Sequence, residues 1–334
     1  MNDARLFSPG EELPEGVSAF LEEWYDARPG VTAHTSGSTG PPKPLRLLKR
    51  DMLASAALTN DYFGITARST LLLCLSPAYI AGKMMIVRAL LAGARLLVRP
   101  PASDPLLVPL DTPVDLAAMV PLQVESILSR PGGPAALARV RQLLVGGAAL
   151  SPTLEKRLET LPTACYASYG MTETLSHVAL RRVNGPAASP CYTALGPVRF
   201  DTDTRGCLVI HAPHVGQPRL VTNDLARLVD ATRFEWQGRV DNVINSGGVK
   251  LSPEAIEARL APLLSRRFFV AAEPDERLGE RAVLVIEDRP WSEREQADLA
   301  ARLARLLPPH ERPRAFRFLA AFRETASGKI LRAW

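Results

Sequence analysis

The chain has 334 residues, 46% of them hydrophobic and 22% charged, with a formal net charge of +5. That length suits about two domains and a core that needs no staples, which excludes disorder, collagen and coiled coil as whole-chain descriptions. The basic residues are spread rather than gathered in a stripe, so nucleic acid is not the expected partner, while anionic small molecules remain open.

Taken in chain order, residues 16–28 read as an amphipathic helix with Phe20, Leu21, Trp24 and Tyr25 on one side. A Gly/Ser/Thr/Pro loop covers 35–44, and 51–63 read as helical. Thr70–Leu75 is a short buried strand, 80–92 an apolar helix stopped by Gly93, and Arg95–Arg99 another strand. A proline-broken connection spans Pro100–Pro113, and Gln142–Val145 is a strand running into Gly146-Gly147. Ser151 caps the next helix with Pro152 in its first turn. Strands and helices alternate here, as in an α/β layered fold. After about residue 200 the pattern changes to short strands with polar turns: Cys207–Ala212, Leu225–Val229 and Phe234–Trp236.

The tail reads as α+β. Ser252 and Pro253 start a helix whose Ile256, Leu260, Leu263 and Leu264 share one face. Phe268–Ala272 and Val283–Glu287 are strands around a Pro274-Asp275 turn. Ser292 and Glu295 form a capping box for a helix running to Leu307, which Pro308-Pro309 stops, and Phe316–Leu319 is a last strand.

The four cysteines, Cys74, Cys165, Cys191 and Cys207, stand far apart without a CxxC pair. Neither a zinc ribbon nor a disulfide framework fits; reduced core thiols in the cytoplasm are the simplest account. The acidic N-terminus lacks the apolar run of a signal peptide, and no apolar run approaches the ~20 residues that cross a bilayer.

Six segments carry chemistry. Thr35-Ser-Gly-Ser-Thr-Gly-Pro-Pro-Lys43 has a phosphate-cradle composition: small residues, hydroxyls, free N–H groups and a point charge. It lacks Walker A spacing, and a flexible surface loop remains an equal reading of its composition. Tyr169-Gly-Met-Thr-Glu-Thr174 sets a carboxylate among hydroxyls, which suits Mg²⁺, beside an aromatic face for a flat base. Val145-Gly-Gly-Ala-Ala-Leu150 follows a strand and permits close approach of a planar ring. Thr222-Asn-Asp224 offers a carboxylate of the kind that holds ribose hydroxyls. The run Gly238–Lys250 combines a basic residue, a turn carboxylate and a Gly pair, and Thr325-Ala-Ser-Gly-Lys329 places a lysine in a small-residue loop. Taken singly, each of these five reads first as an ordinary turn, hairpin or solvated loop.

Together, in this order and spacing, the six resemble the adenylate-forming superfamily of acyl-CoA synthetases, luciferases and adenylation domains, over about residues 31–332. Length and the segment Tyr79-Ile-Ala-Gly-Lys-Met-Met85 are most similar to the short bacterial o-succinylbenzoate–CoA ligases of menaquinone biosynthesis. The resemblance implies a large layered N-terminal domain, residues 1–240, that binds ATP and the acyl substrate. It also implies a small mobile α+β domain, 241–334, that carries the catalytic lysine. The implied reaction has two halves. A carboxylate attacks the α-phosphorus of ATP to give acyl-adenylate and pyrophosphate, and coenzyme A then displaces AMP.

Residue by residue, the resemblance makes Lys329 the catalytic lysine. It gives Thr35, Ser36, Ser38, Thr39 and Lys43 to the triphosphate, Thr172 to the α-phosphate and Glu173 to Mg²⁺. Gly147, Ala148 and Tyr169 line the adenine slot, and Asp224 and Arg239 hold the ribose. Asp241 is the hinge, and Ser246-Gly247-Gly248 serves the thioester step. Tyr79 and Lys83 fall in the acyl region. Lys83 reads either as a partner for a distal substrate carboxylate or as a lysine snorkelling to solvent. His34 and His177 receive no role. Three features depart from the pattern: about 30 residues precede the phosphate loop where the family has a longer part; Thr-Asn-Asp replaces the usual Thr-Gly-Asp; and Tyr79 has no following histidine. The shortened part leaves surface for another subunit, so a homodimer is expected.

Overall fold

The computed structural model describes residues 6–7, 13–34, 44–324 and 330–332. Helix α1 (Glu15–Tyr25) buries Val17 and Phe20 and ends at Asp26. Its extent is shorter than the sequence suggests because the Asp26 carboxylate accepts from the Arg28 N–H and from Lys49 Nζ, both at 2.9 Å, and turns the chain. Strands β1 (Gly30–His34) and β2 (Pro44–Leu48) form an antiparallel pair. Helix α2 (Lys49–Phe63), strand β3 (Thr70–Leu73), helix α3 (Ile80–Ala92) and strand β4 (Arg95–Val98) follow, with α3 ending at Gly93 as its pattern requires.

Next come β5 (Val114–Met119), α4 (Pro121–Ser129), α5 (Gly133–Leu137), β6 (Val140–Val145), α6 (Pro152–Leu158) and β7 (Ala164–Gly170). Strands β3 to β7 are parallel, in the order β7-β6-β5-β3-β4. Alternate residues of each strand enter opposite cores. Leu71, Leu73 and Leu144 join Phe20, Met52 and Met84 on one face, while Leu72, Leu143 and Val145 join Val124, Leu137 and Leu158 on the other. This two-sided burial is what a parallel sheet with crossover helices demands.

Antiparallel strands extend the same sheet: β8 (His177–Arg182), β9 (Tyr192–Ala194), β10 (Arg199–Thr202), β11 (Cys207–His211), β12 (Arg219–Asp230) and β13 (Arg233–Arg239). They complete an eleven-stranded order, β10-β11-β12-β13-β9-β8-β7-β6-β5-β3-β4, among the described residues. At its β4 margin the Leu96 N–H donates to the Leu6 carbonyl at 2.8 Å, and the Leu6 side chain is buried.

A second, smaller sheet follows, with its own core of Ile244, Ile256, Leu260, Leu284, Leu299 and Leu303. Hairpin β14 (Ile244–Ser246) and β15 (Val249–Leu251) precedes α7 (Pro253–Leu260), β16 (Phe268–Asp275), β17 (Gly279–Glu287), α8 (Glu293–Leu306) and β18 (Ala315–Leu319). Both expected N-caps are present: Ser252 Oγ accepts from Ala255 N–H, and Ser292 forms the reciprocal box with Glu295. The expected Pro274-Asp275 turn is displaced. Strand β16 runs through both residues, and the Asp275 carboxylate then closes the turn by accepting from the N–H groups of Arg277 and Leu278 at 3.0 Å each. Strand β16 lies at the sheet's edge, where a proline's missing N–H costs no ladder bond. Cys74, Cys165 and Cys207 are buried and Cys191 is half-buried; all four are free thiols. Among the described residues no helix is long and apolar enough to cross a membrane.

Candidate active site

The antiparallel pairing of β12 with β13 sets Asp224 opposite Arg239, and the site grows from that rung. The Tyr169 hydroxyl, at the end of β7, donates to Asp224 Oδ2 at 2.7 Å. Arg239 Nη1 reaches Asp224 Oδ1 at 3.5 Å, and Trp236 Nε1 donates to the same oxygen at 3.3 Å. Arg239 Nη2 pairs with Asp241 Oδ2 at 2.7 Å. Four residues read from three separate motifs therefore share one connected network. Trp236 belongs to it as well, and the sequence reading passed it over as part of a short strand. Burial, with the Asp224 charge beside it, raises the Tyr169 hydroxyl pKa well above its ordinary value and keeps it a donor. Its ring packs edge-on against Phe234 at 5.0 Å and Tyr192 at 5.8 Å.

The departure at Asn223 has a visible effect. Its Nδ2 donates to both Asp241 oxygens, at 3.1 and 3.3 Å, and its Oδ1 accepts from Arg205 Nη1 at 3.2 Å. Asp241 is thus held from two sides, by Arg239 and Asn223.

Gly147 and Ala148 follow β6, and Tyr169 ends its parallel neighbour β7, with Val145 in register with Ala167. The carboxyl edge of parallel strands is where open α/β sheets bind ligands. Gly146 leaves room for a hydroxyl: a Cβ there would lie 2.1 Å from Ser168 Oγ, which would have to move. Beyond Tyr169, a 3₁₀ turn spans Thr172–Thr174. Thr172 is buried and Glu173 faces solvent. The buried Thr174 hydroxyl fixes this turn, accepting from the Met171 N–H at 2.9 Å and lying 2.7 Å from the Ser176 carbonyl. Leu175 then takes a φ of +65° with its side chain buried. This is a strained backbone for a branched residue, of the kind found beside functional groups.

In the acyl region Tyr79 caps α3 and is half-buried. Lys83 does not snorkel. Its side chain is buried, with Nζ 4.5 Å from the centre of the Phe20 ring and 3.8 Å from Glu23 Oε2 on α1. Burial lowers its pKa, against an opposing pull from Glu23. The same helix carries Arg88, which the sequence reading passed over in a segment it took as apolar. Five residues on, Arg88 points about 140° away from Lys83 around the helix axis. It is 1% exposed. Nη2 donates to Ser176 Oγ at 2.5 Å, Nη1 touches Met85 Sδ at 3.5 Å, and Nε has no partner. Among the described residues no carboxylate pairs with it. Burial pushes its pKa down to about 9, so it stays charged at neutral pH. A charged side chain in a sequence otherwise apolar was the available signal.

Ser246, Gly247 and Gly248 form the tip of the β14–β15 hairpin. Ser246 pairs with Val249, and the two glycines have φ of +59° and +83°, the signs of a type I′ turn. Between this hairpin and the large sheet lies a cavity of about 260 Å³, lined by Arg205, Leu225, Val240, Asn245, Lys250 and Ser252. Thr35, Ser36, Ser38, Thr39, Lys43 and Lys329 lie outside the described residues, as does the His34 side chain. For Mg²⁺ the donor chemistry fits: this ion commonly uses one or two carboxylates, keeps waters and takes its remaining ligands from phosphates. The exposed Glu173 supplies one such carboxylate.

Comparison with known proteins gives the family of the chain. The AMP-binding enzyme family matches residues 26–208. An acyl-CoA synthetase (AMP-forming)/AMP-acid ligase II-like protein of Dyadobacter fermentans is 36% identical, covers 96% of this chain and 94% of its own, and superposes with a TM-score of 0.65. The 2-succinylbenzoate–CoA ligase of Enterococcus faecalis is 27% identical over 89% of this chain, which spans 67% of that protein's length. The o-succinylbenzoate–CoA synthetase of Bacillus subtilis, solved with ATP and magnesium, shares the fold with a TM-score of 0.72 at 21% identity, covering 90% of this chain and 68% of its own. The chain belongs to the AMP-binding enzyme family.

Proposed function

We propose that this protein is an acid–CoA ligase working through an acyl-adenylate, with o-succinylbenzoate as its acid. The likeness to 2-succinylbenzoate–CoA ligases supports the reaction, and Arg88 carries the choice of a diacid. A buried guanidinium without a carboxylate partner is costly, and the second carboxylate of such a substrate would satisfy it.

In this reading residues 1–240 bind ATP and the acid, and 241–334 form a small domain that turns about Asp241. The first half-reaction brings two anions together, so positive charge and N–H donors must offset their repulsion. Lys329 serves both reacting groups, while Ser36, Ser38, Thr39 and Lys43 hold the outer phosphates. Thr172 donates to the α-phosphate. Asp224, held by Tyr169, Trp236 and Arg239, accepts from the ribose hydroxyls. Glu173 holds magnesium, which when bound neutralises phosphate charge. Rotation at Asp241 then withdraws Lys329 and presents the Ser246-Gly247-Gly248 hairpin to the thioester step.

The test is ATP–pyrophosphate exchange with a panel of aromatic and aliphatic mono- and diacids, followed by coenzyme A. Exchange and thioester formation with o-succinylbenzoate are expected. Exchange without thioester would move the reading to a carrier-protein thiol as acceptor, and no exchange with any acid would overturn it. Lys329→Ala is expected to abolish exchange yet retain thioester formation from supplied acyl-adenylate. Equal loss of both halves would contradict the rotating-domain part.

A further inference from the structure

A chain of hydrogen bonds leads away from Arg88 into the core. Arg88 Nη2 donates to Ser176 Oγ at 2.5 Å. Ser176 Oγ lies 3.2 Å from His177 Nδ1, His177 Nε2 lies 3.1 Å from Thr59 Oγ1, and Thr59 Oγ1 lies 3.3 Å from the Ser55 carbonyl. Thr59 and His177 are buried and Ser176 is half-buried. Both ends of this chain have fixed polarity. A guanidinium only donates and a carbonyl only accepts. Ser176 accepts from Arg88, and because Thr59 gives its one proton to the Ser55 carbonyl, a neutral His177 donates from Nε2 and leaves Nδ1 to accept the Ser176 hydroxyl proton. With His177 neutral, every step has one direction and a single tautomer is selected.

The geometry points to Ser176 and His177 as positioning residues that hold the Arg88 guanidinium still, so that its unpartnered Nε–H is free for the second carboxylate of a diacid substrate. This inference rests on the diacid reading above. Neither residue touches substrate in it. An arginine side chain has many rotamers, and a single hydroxyl acceptor of fixed orientation selects among them. His177 matters because it fixes that hydroxyl: with Nδ1 accepting, the Ser176 lone pairs are left to Arg88. Burial, together with the Arg88 charge, holds the His177 pKa well below its ordinary value, which supplies the neutral form on which this single direction rests.

The experiment compares Ser176→Ala, His177→Phe, His177→Asn and Arg88→Gln. It measures kcat, the KM values for o-succinylbenzoate and ATP, and the ¹⁵N shifts of the His177 ring in the intact protein. Ser176→Ala and His177→Phe should each raise the diacid KM on the order of 10-fold, with kcat and the ATP KM within about 2-fold. The double variant should be no worse than either single, because both act on one path. His177→Asn keeps an acceptor for the Ser176 hydroxyl and should restore the diacid KM to within about 2-fold of the parent. The ring shifts should report the Nε2–H tautomer.

An Nδ1–H tautomer, an additive double variant or an unchanged diacid KM in Ser176→Ala overturns the inference. If Arg88→Gln raises the diacid KM while the Ser176 and His177 variants do not, positioning fails and the diacid reading stands. If Arg88→Gln leaves the diacid KM unchanged, both fall. Should His177→Phe fail to fold, Ser176→Ala, His177→Asn and the ring shifts decide the matter.

Discussion

Asp224 shows how a strand register gathers hydrogen-bond donors around one carboxylate, which we propose holds the ribose. Three donors from β7 and β13 converge on its two oxygens, so its orientation is set before any ligand arrives. Removing one donor tests this: Tyr169→Phe should raise the KM for ATP roughly 10-fold with kcat little changed, the cost of a hydrogen bond to a charged acceptor. An equal fall in kcat and kcat/KM would assign the hydroxyl to the transition state instead. His177 makes a different prediction. Its folded pKa lies below its unfolded value near 6.5, so below that pH the unfolded chain binds more protons than the folded one. Stability is whole above about pH 6.5 and declines as pH falls through it, by up to ~1.4 kcal/mol per pH unit. The half-buried His214, whose pKa burial also lowers, adds with the same sign. Urea midpoints at pH 7.5 and 5.5 should show the decline, and His177→Phe should flatten it. Tyr169, Asp224, Arg239 and Asp241 were legible because each stands in a motif. Arg88, Ser176 and Trp236 were not, because their importance lies in contacts between distant segments. Lys83 drew attention as a charge in an apolar helix, while Arg88 answers that description better on the opposite side.

Among elements, the ends of β6 and β7 decide the shape of the site. A methyl at Gly146 would collide with Ser168 Oγ at 2.1 Å while lying 3.5 Å from Ser168 Cβ, an ordinary contact. Gly146→Ala should therefore lower stability by ~1–3 kcal/mol, as overpacking does, and adding Ser168→Ala should recover most of that loss. Thermal denaturation of the single and double variants checks both; no recovery would place the strain in the backbone. Elements with strong local signals were read well from the chain: α3 with its Gly93 stop, α8 with its capping box, and the apolar β3. Strands β5 and β7 were among those missed. Val114-Asp-Leu-Ala-Ala-Met119 and Ala164-Cys-Tyr-Ala-Ser-Tyr-Gly170 are rich in alanine, a poor strand former by itself. They are strands because neighbours on both sides pair with them: β5 lies between parallel β3 and β6, and β7 between parallel β6 and antiparallel β8. Pro274 misled for the opposite reason: an edge strand tolerates what a central one does not.

At the scale of the molecule, the change of pattern near residue 200 proved to be the antiparallel extension of the large sheet, and the compact tail a second sheet with its own core. Polar connections join the two, as where Ser252 Oγ donates to the Gln237 carbonyl at 2.9 Å. Such contacts exchange easily with water, which suits a junction proposed to turn. The opposite margin of the large sheet is treated differently. There a distant stretch of the same chain closes over the outermost rung, Leu6 to Leu96. A bare border of N–H and C=O groups is an invitation to a stranger's backbone, and repeated acceptance builds fibrils. By occupying that rung itself, the protein denies such growth a starting point there, and the exposed Arg95 on the same strand adds a repelling charge.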